Sequence, residues 1–207
     1  MEVVMVPSRD TMAVETLAQL RDHQELLEVL CAPPYPDHVA QLAARCVDAY
    51  RHGAKLVLFG NGGSAADAQH VAAEMVARFK RDRAAWPAIA LTTNTSSLTA
   101  IGNDYAYDDV FLRQVEAFVT KGDIVIGIST SGNSTNVVSA LEAARDRGAW
   151  TAAFTGAGGG RAGQIADLCL AMPSHDTPRV QEGHITLLHI FCDLVEATLT
   201  EGEGLTG

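Results

Sequence analysis

The chain has 207 residues, 47% hydrophobic and 19% charged, which supplies one packed core and argues against disorder. Fifteen Lys and Arg against 25 Asp and Glu give a formal net charge of −10 with no basic stripe, so nucleic acid is not the expected partner. No apolar run approaches the ~20 residues of a bilayer span. Met1–Asp10 also lacks the cationic start and apolar stretch of a signal peptide, so a cytoplasmic protein without a membrane partner is expected.

From the N-terminus, Thr11–Cys31 predicts an amphipathic helix, with Val14, Leu17, Leu20, Leu27 and Leu30 at helical spacings. Ala32-Pro33-Pro34-Tyr35-Pro36 breaks it. A second helix is expected from about Asp37 to His52, with Val39, Leu42, Cys46 and Tyr50 on one face and Gly53 as its stop. The rhythm then changes. Lys55–Phe59, Pro87–Thr92, Asp123–Ile128, Trp150–Phe154 and Leu168–Met172 are short apolar runs with little alternation. Strands of that kind are buried on both faces, which predicts a five-stranded parallel sheet flanked by helices, a doubly wound α/β fold. A helix is expected from about Ser134 to Arg147, and a long apolar one from about Arg179 to Thr200. Residues 1–36 read as a helical extension and 201–207 as a flexible tail. Cys31, Cys46, Cys169 and Cys192 form no CxxC pair and read as buried small hydrophobes.

Ligands of open parallel sheets bind at the carboxyl ends of strands. Two turns fall there. Gly60-Asn61-Gly62-Gly63-Ser64 lies between a strand and a helix, where glycines permit close backbone approach and the helix start offers free N–H groups to an anion. It is neither a Walker loop nor a full GxGxxG. Ser129-Thr130-Ser131-Gly132-Asn133-Ser134 sets four hydroxyls in six residues, which suits a phosphate monoester without Lys or Arg. Helix capping by Ser131 or Ser134 is the plain alternative. Two such turns in one sheet favour a small phosphorylated ligand. In the helix after Ser64, His70 and Glu74 are four apart on one face, and Arg78 continues the stripe. An exposed Glu–Arg pair is the alternative reading. In the last helix, Gln181, Glu182, His184 and His189 interrupt an apolar segment, where a satisfied core histidine is the commoner outcome.

Gly60–His70, Ala73-Glu74, Gly102–Tyr105, Gly127–Ser134 and Arg179–Glu182 followed by His189 resemble the phosphoheptose isomerases, a family within the SIS (sugar isomerase) domain group. The resemblance spans residues 10–200, and makes residues 37–200 the SIS domain and the N-terminal helices an oligomerisation element. It implies a homotetramer with active sites between subunits and one zinc per subunit on His70, Glu74, Gln181 and His189. It implies interconversion of sedoheptulose 7-phosphate and D-glycero-D-manno-heptose 7-phosphate, through an enediol, in heptose nucleotide biosynthesis. Glu74 and His189 correspond to the acid/base pair. Substrate contacts correspond to Asn61, Gly62, Gly63, Ser64, Glu74, Arg78, Asn103, Asp104, Ser129, Thr130, Ser131, Ser134 and Gln181.

The residue types suit a ketose–aldose isomerisation. One proton moves between adjacent carbons and another between their oxygens, so two acid/base groups are needed. Glu74 is assigned to carbon and His189 to oxygen, while zinc could instead polarise the carbonyl. Gln181 and His189 are eight residues apart, about 12 Å of helical rise. Either Gln181 therefore lies at a distorted helix start or the two act from different subunits. Asn94 stands where many relatives have Asp, which removes a charge near the pocket, and Ala106 and Pro178 lie where relatives vary. Two rivals remain at this stage. One is a regulator like the tetrameric relative that binds the replication initiator DnaA, which lacks counterparts of Glu74 and His189. The other is an isomerase for another sugar phosphate.

Overall fold

The computed structural model describes residues 8–203. Arg9–Leu30 (α1) starts at Ser8, whose hydroxyl accepts from the Thr11 amide at 3.2 Å. Tyr35–Arg51 (α2) follows, two residues earlier than expected, because Pro36 sits in its first turn, where a helix needs no N–H. The alternating units are Leu56–Gly60 (β1), Gly63–Val76 (α3), Ala88–Ala90 (β2), Thr95–Asp104 (α4), Leu112–Phe118 (α5), Ile124–Ser129 (β3), Thr135–Asp146 (α6), Trp150–Thr155 (β4), Gly160–Ile165 (α7) and Leu168–Ala171 (β5). Thr177–Glu203 (α8) closes the described chain. All five expected strands are present and parallel, in the order β2-β1-β3-β4-β5.

Apolar runs without alternation are explained by two cores. Leu56, Leu58, Ile126 and Phe154 face a layer containing α2, α3 and α8. Val57, Phe59, Val125 and Ala153 face α5, α6 and α7. At the amino ends of the strands, Asp123 is 1% exposed and accepts from the Lys55 and Thr120 amides at 3.0 and 2.7 Å, and from Lys55 Nζ at 2.6 Å. That pins β1 to β3 at one edge and leaves the carboxyl edge for function.

Some expectations need correction. Leu26 and Leu30 join the core, but Val14 and Leu20 are 71% and 61% exposed: among the described residues, 9–18 stay exposed, and Gln19 is held by Arg179 of α8. Cys31 is exposed and Cys169 half-buried; only Cys46 and Cys192 are buried, and all four thiols are free. Burial pushes the Cys192 thiol up to about 12, which makes it inert at neutral pH. α8 continues to Glu203, so part of the expected tail is helical, and 204–207 lie outside the described residues.

Candidate active site

β1 sends its helix toward β2 at one edge, and β3 sends its helix toward β4 at the other. The chain therefore parts between β1 and β3, and that crevice is the binding position of this strand order. Both predicted turns line it. A Cβ at Gly60 would stand 2.7 Å from the Ile128 carbonyl oxygen and 2.8 Å from Ser64 Cβ, so only glycine lets β1, β3 and the start of α3 meet. Gly62 (φ +56°) precedes Gly63, the first residue of α3, without a side-chain cap, so the opening N–H groups of the helix are left to a ligand. Ser64 is buried one residue further on.

In the second turn, Ser129 Oγ lies 2.9 Å from Ser134 Oγ and 3.4 Å from Ser131 Oγ. Ser134 precedes α6 without capping it by its side chain, which turns toward Ser129 instead. Ser131 Oγ accepts from the Asn133 amide at 3.1 Å. The Thr130 carbonyl accepts from the Gly156 amide at 2.9 Å, which ties the turn to the end of β4. Capping thus fails to account for Ser134, and the hydroxyls of Ser129, Ser131 and Ser134 form one cluster.

Asn136 and Tyr107, which the sequence did not single out, join the turns at Asn61. Asn61 and Asn136 exchange amide hydrogen bonds of 2.9 and 3.0 Å, and Tyr107 Oη donates to Asn61 Oδ1 at 3.0 Å. The Asn61 side chain therefore orders the crevice. An Asn buried at the start of α6 is the signal that could have revealed Asn136.

The ionisable constellation forms between α3 and α8. His70 Nε2 and His189 Nε2 are 2.8 Å apart, and Glu74 Oε1 is 3.5 Å from His70 Nε2. Burial, then the neighbouring His70, keeps the His189 imidazole below its usual pKa, with Glu74 acting in the opposite sense. The ring is thus held neutral near pH 7. Asp67, a turn before His70, was also missed. Burial raises its carboxyl to about 6, and its Oδ2 has no partner among the described residues.

Other expected residues stand apart. α3 ends at Val76, so Arg78 does not continue the His70–Glu74 stripe; it is exposed and pairs with no carboxylate among the described residues. Asn103 and Asp104 are exposed at the end of α4, bonded to each other at 2.8 Å. Gln181 is the fifth residue of α8, whose start is regular, and its amide lies where a Cβ at Gly63 would stand. The distorted-start explanation is therefore wrong: Gln181 faces the glycine turn and His189 faces His70, two turns on. Asn94 caps α4 by accepting from the Ser97 amide at 3.0 Å, a task Asp performs equally well. His184 is a core histidine satisfied at one nitrogen: its Nε2 lies 3.0 Å from the Thr155 carbonyl oxygen, while its buried Nδ1 has no hydrogen-bond partner among the described residues.

Two imidazole nitrogens and a carboxylate are the right donor types for zinc. Among the described residues, no three such side chains already stand in ligand geometry. The Nε2 pair would have to part from 2.8 Å to about 3.3 Å to share a tetrahedral ion.

A parallel sheet in this order with paired anion-type turns at its switch point defines a SIS-domain protein, and the family model described as SIS domain matches residues 22–156. A phosphoheptose isomerase of Geobacter sp. (strain M21) is 57% identical over 188 residues, covering 91% of this chain and 97% of its own. A solved phosphoheptose isomerase of Neisseria gonorrhoeae is 41% identical with TM-score 0.80, over 91% of this chain and 98% of its own. One of Francisella tularensis is 32% identical with TM-score 0.83, over 93% and 100%. The chain belongs to the phosphoheptose isomerase family.

Proposed function

We propose that the protein interconverts sedoheptulose 7-phosphate and D-glycero-D-manno-heptose 7-phosphate in the cytoplasm, as a step in making nucleotide-activated heptose. The observation that carries this reading is the meeting of Glu74, His70 and His189 between α3 and α8, on the helix that also opens the glycine turn. The Ser129–Ser134 hydroxyls and the N–H groups at the starts of α3 and α6 take the phosphate. Ser64 closes that end, and His70 lies six residues, about 9 Å, further along α3. Glu74 removes the proton from C1 of the ketose and returns it to C2 of the enediol. His189, neutral before the reaction, carries the proton between the two oxygens. With zinc bound, His70, Glu74 and His189 would hold it, with Gln181 of another subunit as a further donor, and the ion would polarise the substrate carbonyl in place of the proton transfer by His189.

The assembly that fits is a homotetramer with its sites between subunits and one zinc in each. Gln181 stays away from the histidine pair within one chain, and Met12, Val14, Leu17 and Leu20 leave an apolar face of α1 open. The part of Asn103, Asp104 and Arg78, all exposed, in binding substrate is supported by the family resemblance alone. The domain division that accompanies this reading keeps 1–36 as the assembly element and 37–200 as the catalytic domain.

A coupled assay over seven-, six- and five-carbon ketose phosphates, with and without chelator, tests this. Sedoheptulose 7-phosphate is the expected substrate, and chelator is expected to lower turnover. Glu74→Gln is expected to abolish turnover with an unchanged circular dichroism spectrum. Full turnover by that variant removes Glu74 from the chemistry.

A further inference from the structure

We propose that Arg83 and Glu196 are positioning residues for the reaction: a buried ion pair that sets the end of α3, and with it Glu74, against the His189 face of α8. The inference rests on the isomerase reading above. The side chains of Arg83 and Glu196 are 2% and 0% exposed, and Arg83 Nε donates to Glu196 Oε1 at 3.1 Å. The remaining arms of the guanidinium reach the last turn of α3. Nη2 donates to the Glu74 carbonyl at 2.8 Å and Nη1 to the Met75 carbonyl at 2.8 Å. A helix ends with unpaired carbonyls, and a cation there also suits its dipole. Here the carbonyl of Glu74 itself is held by a side chain nine residues later, on the loop leading to β2.

Glu196 fixes the other side. Its carboxylate accepts from the Phe79, Lys80 and Arg81 amides at 2.8, 2.7 and 2.9 Å. Burial opposes its charge, but these N–H groups and Arg83 hold its carboxyl below the usual range. Glu196 is seven residues after His189, two turns along the same face of α8. Phe79, whose amide it holds, packs its ring 5.8 Å from the His189 ring. The guanidinium also lies 3.7 Å from the centre of the Trp86 ring, which locks its plane. One pair thus touches the backbone of Glu74 and the neighbour of His189, while its own side chains are buried from solvent.

Such a pair is a poor choice for stability alone, since apolar residues of equal volume often replace buried ion pairs without loss. Its fork geometry is what the site uses: Glu196 Oε1 and the Glu74, Met75 and Ala84 carbonyls surround one planar group, a spread that the single nitrogen of a lysine cannot span. Arg83→Lys keeps the charge and loses the fork. The expected result is a folded protein whose kcat falls about tenfold or more, with KM for sedoheptulose 7-phosphate within twofold, because the phosphate is gripped by other elements. The ring NMR signals of His70 and His189, read without substrate, are expected to shift. With an active wild type, a kcat within twofold of it or unmoved ring signals overturn the proposal. If Arg83→Lys does not fold, Glu196→Gln is read in the same way, and loss of fold in both also overturns it. A wild type inactive on every ketose phosphate, with ring signals that still shift in the variant, sinks the isomerase reading and leaves the clamp.

Discussion

His184 and His189 lie five residues apart on one helix and do opposite work. His189 opens onto His70 and Glu74, whereas His184 is fully buried, edge-on to Phe154. Burial lowers the His184 pKa to about 4, only partly offset by its bond to the Thr155 carbonyl. Between pH 6.5 and 4 an unfolded chain would take up a proton there and the folded chain would not. Stability therefore holds above pH 6.5 and falls as the pH drops toward 4, by on the order of 3 kcal/mol from this group. His184→Gln keeps a donor toward Thr155 and does not titrate. Urea unfolding across that pH range is expected to show a shallower acid loss in the variant; an identical slope would remove His184 as the cause.

At the scale of elements, the crevice depends on how closely its loops approach. Gly132 has φ +66°, and a Cβ there would overlap the Gly159 carbonyl, so the β3–α6 and β4–α7 connections touch through backbone alone. Gly132→Ala is expected to destabilise by about 2 kcal/mol or more and to raise KM, read by thermal unfolding and initial rates. The strands were legible because buried parallel strands announce themselves as apolar runs, and the serine turn because four hydroxyls at one strand end are rare. The stripe through Arg78 misled because helical spacing says nothing of where α3 stops, which Arg83 helps to decide by taking its last carbonyls. Asn136 and Glu196 escaped notice because their partners lie 75 and over 110 residues away, at Asn61 and Arg83. An acid directly after Leu194-Val195, one turn past Asp193 in a largely apolar helix, was the available clue.

For the molecule as a whole, the open face of α1 bears on the proposed tetramer. Leu17→Glu with Leu20→Glu places two charges on a face that would be buried between copies, and light scattering is expected to report dissociation with loss of turnover. A stable wild-type monomer at micromolar concentration would remove the shared site. A last consequence concerns the Ser129–Ser134 turn, which holds no Lys or Arg in a chain of net charge −10. Neutral dipoles fixed in place grip an anion over a few ångströms and are hardly dulled by dissolved ions, whereas the repulsion between an acidic body and an incoming dianion is long-ranged and is screened. Raising sodium chloride from roughly 0.01 to 0.2 M is therefore expected to leave KM level or to lower it, the reverse of an enzyme that draws in its phosphate ester with a field of lysines.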